Sequence, residues 1–240
     1  MAIADPNRTI LTGENPFIRL SARDGDPNST DASFWRILFC PAGPGHVLYI
    51  KSELTDGRWR IYSDNIAMAR WLQKTVQGML NPELKDLAIP VMDASFVKSG
   101  DPRYFWTEHV SATDAEIALT WHDIGEPLLI HTQPNAAPNP RPYGVCTLLV
   151  PALAARLTLN GTQAKGQPWP REREGQPFST CALAFSESWT EPRQGSRPAT
   201  VFVILSEAKD LTPATESLID RLGPSLRSGR QLVSFFHNER

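Results

Sequence analysis

Tyr104-Phe105-Trp106-Thr107-Glu108-His109-Val110, a turn signal at Thr113-Asp114, and then Glu116-Ile117-Ala118-Leu119-Thr120-Trp121 decide the fold class of this chain. Both runs alternate with a period of two, the signature of β-strands that bury one face. Tyr104, Trp106, Glu108 and Val110 share one face of the first run, opposite Phe105, Thr107 and His109. In the second, Ile117, Leu119 and Trp121 oppose Glu116, Ala118, Thr120 and His122.

Outward from this pair the same pattern recurs. Val91–Val97, Leu128–Gln133, Tyr143–Val150, Ala155–Asn160 and Ser179–Trp189 read as strands, separated by Gly100-Asp101-Pro102, Gly125-Glu126-Pro127, the stiff Pro134–Pro142 segment and Asn160-Gly161. Upstream, Phe34–Cys40 is a compact apolar run, and His46–Glu53 with Arg58–Tyr62 flanks Asp56-Gly57 as a hairpin. One helix is expected near 64–80. Ser63 or Asp64 serves as its N-cap, Ile66, Ala69, Leu72 or Gln73, Val76 and Leu80 form its apolar stripe, and Pro82 closes it. About eleven short strands with regular turn signals predict a mainly β chain, an antiparallel barrel or sandwich carrying that single helix.

Composition agrees. Among 240 residues there are 21 Pro against 15 Gly, and the prolines fall mostly between strands, which argues against long helices. Seven Trp and ten Phe supply a sizeable core. The net charge of −2 excludes a broad nucleic-acid surface. No run approaches the length of a membrane helix, and the N-terminus lacks the pattern of a secretory leader, so the expected setting is cytoplasmic. Cys40, Cys146 and Cys181 are odd in number and far apart, which disfavours a disulfide framework or a zinc site. Domain organisation reads as a poorly structured segment over 1–31, in which only Phe17-Ile18-Arg19-Leu20 looks like a short strand, a β domain over 32–200 and a distinct tail over 201–240.

No nucleophile elbow, phosphate loop, dinucleotide fingerprint or zinc-protease motif is present, so neither a cofactor nor a metal is expected. The candidates are polar residues on aromatic strand faces. Cys181, Leu183, Phe185, Glu187 and Trp189 form a second alternating face, so Glu108 and Glu187 each stand among aromatic rings. A carboxylate in an apolar pocket resists ionisation and can serve as a general acid. It can equally pair with an arginine such as Arg103 or Arg156. His122, at a strand end, is the candidate base. His46, His109 and His131 lack the spacing of a ligand cluster.

These readings place a cavity lined by Tyr104, Trp106, Leu119, Trp121, Phe185 and Trp189, with Glu108, Glu187 and His122 as its chemical groups. The expected function is binding of a small apolar or aromatic molecule in a barrel cavity. Two alternatives use the same residues differently: cofactor-independent acid–base catalysis (hydratase, isomerase or cyclase), or a non-catalytic structural or interaction module with a filled interior.

Two resemblances add to this. Asn160-Gly161-Thr162 leading to Trp169, late in an antiparallel chain, resembles the lipocalin-type (calycin-like) barrels over about residues 90–190, and implies a barrel with an interior ligand. Pro170-Arg171-Glu172-Arg173-Glu174 then departs from the acidic-aromatic signature of the carotenoid hydratase branch, so the resemblance implies the barrel and not that activity. In the tail, Val203–Leu211, Leu226-Arg227-Ser228 and Phe236–Arg240 resemble the translation of an interspersed repeat element of bacterial genomes, which implies that 201–240 carry no function.

Overall fold

A computed structural model of the chain describes residues 3–137, 140–173 and 175–193. The expectation for the 201–240 tail lies outside them. Fourteen strands occur in chain order: β1 (Ala4–Glu14), β2 (Phe17–Leu20), β3 (Thr30–Phe39), β4 (Gly45–Ser52), β5 (Arg60–Ser63), β6 (Val91–Asp101), β7 (Phe105–Ala112), β8 (Ala115–Ile124), β9 (Leu128–Thr132), β10 (Gly144–Leu159), β11 (Thr162–Gln163), β12 (Pro170–Arg173), β13 (Gln176–Ser179) and β14 (Ala182–Pro192). The protein is mainly β, and most of its strands pair antiparallel, as expected.

The sheet closes on itself. From β2 it runs through β3, β4, β5, β6, β7, β8 and β10 to β14, which pairs back onto β1 and β2. With β1 and β2 counted as one kinked strand between β14 and β3, the ring has nine positions. A closed ring of nine cannot be antiparallel throughout, because direction must alternate at every step. The mismatch is absorbed at β5–β6, where Ile61 to Ser63 pair parallel with Val91 to Asp93. Parallel neighbours need a crossover, and the helical segment supplies it.

That segment holds the helix expected near 64–80, with a different cap and one interruption. α1 (Ile66–Lys74) is capped by Asn65, whose side chain accepts from the Met68 N–H, and not by Ser63 or Asp64. Thr75 breaks the helix with ψ near −100°, and α2 (Val76–Leu80) resumes. Ile66, expected in the apolar stripe, is exposed, whereas Met68, Ala69, Leu72 and Val76 are buried against the outer wall.

β1 corrects the expectation of a poorly structured N-terminal segment, whereas β2 is the short strand expected at Phe17–Leu20. Their sequence has little apolar alternation, yet their backbone fills the gap between β14 and β3. Gly13 marks how tight that gap is, since a Cβ there would collide with the Arg36 carbonyl. The two strands expected at Tyr143–Val150 and Ala155–Asn160 are one, β10. Pro151 sits at its partner switch, where one edge leaves Leu128 of β9 and joins Ile124 of β8, a place where a ladder N–H is dispensable. Asn160 and Gly161 both take positive φ, as a tight hairpin turn requires, and lead into β11.

Two cores lie on either side of the wall. Inside the ring, Ile18, Phe34, Leu48, Ile50, Tyr62, Trp106, Val110, Ile117, Leu119, Trp121, Val150 and Leu183 pack together. Outside, Trp35, Ile37, Val47, Tyr49 and Ile61 receive the helices, and Leu11, Val145 and Trp189 continue that layer. Strand alternation produces this division directly: Phe34 and Arg36 point inward while Trp35 and Ile37 point outward. No helix among the described residues is long and apolar enough to cross a membrane.

Candidate functional site

The inward parity of β3, β4 and β7 assembles a charged network at one mouth of the ring. Arg36 follows Phe34, His46 precedes Leu48, and Glu108 lies between Trp106 and Val110. Glu108 is fully buried, and both its oxygens accept from Arg36 Nη2 at 2.9 Å. The Trp106 indole N–H donates to it at 2.8 Å. Arg36 Nη1 donates to Glu14, its cross-strand neighbour on β1. Arg36 Nε donates to His46 Nε2 at 3.2 Å. Asp64, just beyond β5, holds the other side of the imidazole: its Oδ2 lies 2.6 Å from His46 Nδ1, and Oδ1 accepts the His46 backbone N–H at 2.6 Å. His46 therefore carries its proton on Nδ1 and offers Nε2 to the arginine.

Burial pushes the Glu108 carboxyl above its ordinary range, while Arg36 and the Trp106 N–H pull against that shift. A buried ion pair of this kind is strongly coupled. Removing one partner leaves an uncompensated charge, at a typical cost of about 3–5 kcal/mol. Phe34 and Phe96 pack around the imidazole, with His46 stacked on Phe96 at 5.2 Å, and Phe185 meets Trp106 edge-on at 5.7 Å. Above the network lies an open depression of about 800 Å³, lined by Arg36, His46, Asp64, Asn65 and Asp93 and by Ile37, Leu38, Pro44 and Ile66.

The structure distributes the sequence candidates among several places. Trp106, Leu119 and Trp121 point into the ring and pack in its interior, with Phe185 against them. Trp121 donates its indole N–H to the Phe17 carbonyl. Tyr104 precedes β7 and is exposed, so it lines no interior. His122 is exposed on the outer parity of β8, opposite Leu119 and Trp121, and does not approach Glu108. Arg103 pairs with Asp101 and not with Glu108.

Glu187 and Trp189 require a correction. Alternation puts them on the face of Cys181, Leu183 and Phe185, but Ser186 takes φ 51° in a bulge that lets two residues of β14 oppose one of β10. Parity flips there. Leu183 and Phe185 face the interior, and Trp189 lies in the outer core beside Val145. Glu187 follows Trp189 outward and accepts its indole N–H at 2.7 Å. Burial raises the Glu187 carboxyl to about 7, with Trp189, Arg141, Thr147 and Arg173 acting in opposition. Glu108 and Glu187 thus occupy opposite faces of the wall and share no cavity. Glu187 and His122 face β10 at Thr147 and Ala154, seven residues and roughly 20 Å of strand apart.

Sequence reading missed Arg36, Glu14 and Asp64. The available signal was an arginine on the inward parity of the otherwise apolar Phe34–Cys40 run, since a cation there demands buried carboxylates. Among the described residues no cluster of His, Cys, Asp and Glu could hold a metal ion. Compared with known proteins, the chain matches no family model, no curated protein and no solved structure.

Proposed function

We propose that this protein binds a small molecule at the mouth of the ring, and that the ligand is an amine with an apolar or aromatic body. The observation that supports this reading is the charge of the mouth. Arg36 stands against Glu14 and Glu108, and Asp64, which holds His46, and Asp93 add two carboxylates at the depression. The lining is therefore net negative, and Leu38 and Ile66, both exposed, offer apolar surface beside it. Asp93 forms no ion pair among the described residues and is the acceptor a ligand ammonium would meet first. The interior, filled by the rings of Phe34, Tyr62, Trp106 and Trp121, serves as the rigid floor and not as the binding space.

Calorimetric titration with phenethylamine, phenethyl alcohol and 3-phenylpropionate tests this reading. The amine is expected to bind saturably, the alcohol at least ten-fold more weakly, and the carboxylate not at all. Asp93→Asn should weaken the amine about ten-fold. Absence of saturable amine binding, or equal binding of the carboxylate, would overturn the proposal in favour of a structural or interaction module.

A second reading, acid–base catalysis, draws on Glu187. A carboxyl near 7 is poised to donate or accept a proton at neutral pH, but it stands on the outer wall, apart from the mouth.

A further inference from the structure

A second cleft lies at the opposite end of β5. It measures about 300 Å³ and is lined by Asp56, Arg58, Arg60 and Asp114, with Trp59, Ile89, Pro90 and Met92 as its apolar wall. Arg58 and Arg60 fall on one side of the chain because Trp59, between them, turns toward the outer core and donates its indole N–H to Glu83. Arg60 and Asp114 are only loosely joined, with 3.7 Å between nitrogen and oxygen. Behind them is the hydroxyl of Tyr62. It is fully buried, it has no hydrogen-bond partner among the described residues, and Arg60 and Asp114 are the charged groups that act on it. Folding ordinarily pairs such a hydroxyl or leaves it at the surface, because an unsatisfied buried polar group costs the full loss of its hydration.

We propose that this cleft is a binding site for a small zwitterion, an α-amino acid with an apolar side chain. Two guanidinium groups and two carboxylates balance in charge around a space of that size. The arginines suit the ligand carboxylate, and the Tyr62 hydroxyl, behind the cleft and outside its lining, acts on the ligand only by positioning Arg60. Asp56 and Asp114 suit the ammonium, and Ile89, Pro90 and Met92 suit the side chain. The linings of the cleft and the mouth have no residue in common.

Titration calorimetry with L-leucine and 4-methylpentanoate on the full chain tests the assignment. Leucine is expected to bind saturably, and the isostere, lacking the ammonium, at least ten-fold more weakly. Arg58→Gln should weaken leucine about ten-fold. Tyr62→Phe should weaken leucine about five-fold while leaving the melting temperature unchanged or raised, because the variant removes a buried unpaired hydroxyl. A purely structural tyrosine would instead lower the melting temperature and leave binding intact. The proposal is overturned if leucine does not bind, if the isostere binds as tightly, or if Tyr62→Phe leaves leucine affinity unchanged.

Discussion

Two buried glutamates of similar sequence context end in different chemistry because each meets different partners. Glu108 faces a guanidinium that bonds both of its oxygens, and Glu187 faces chiefly an indole N–H, with its arginines acting at longer range. Desolvation dominates at Glu187 and raises its carboxyl from 4.5 to about 7. The linkage has a definite sign. Between these values the folded state holds a proton that the unfolded chain has released, so the stabilisation is complete below pH 4.5 and is lost as pH rises through about 7. The amount is of the order of 3 kcal/mol. Urea denaturation at pH 5 and pH 8 should show lower stability at pH 8, and Glu187→Gln should flatten that difference. An unaltered pH dependence in the variant would show that Glu187 is not the titrating group.

At the scale of the element, β14 shows how one residue redirects the side chains that follow. Ser186 in the left-handed region inserts the extra residue, and everything from Glu187 onward changes face. A serine pays a modest strain there, and a β-branched residue a larger one. Ser186→Val is therefore expected to destabilise the fold by about 1–2 kcal/mol, and Ser186→Gly to be neutral or slightly stabilising. Chemical denaturation of the two variants compares them, and equal stabilities would contradict a bulge at this position. The strand itself was legible in the period of two, but its bulge was not. Ser186 carries no Gly or Asn signature, and only the register against β10 reveals the extra residue. The same limit hid Arg36 and Glu14, which are cross-strand neighbours 22 positions apart.

Across the whole molecule, closure of the ring gives the N-terminal residues their structure. β1 and β2 occupy the last gap, and Leu11, Ile18 and Leu20 are buried there. Burial of those three side chains alone is worth on the order of 5 kcal/mol, and deleting residues 1–21 also opens two strand edges. The deletion should abolish or strongly lower the cooperative thermal transition seen by circular dichroism. A melt like that of the intact chain would refute closure by these strands. The sequence by itself determined the β class, the strand faces over 105–121, the turn at Asn160-Gly161 and the helical interlude before β6, because alternation, turn chemistry and helical periodicity are local properties of the chain. Tertiary structure alone decided which strands meet, where the ring closes with its one parallel step, and which face Glu187 takes. It also decided that Glu108 belongs to Arg36. Those outcomes depend on pairings between distant residues, and a one-residue shift in register moves a side chain from one side of the wall to the other.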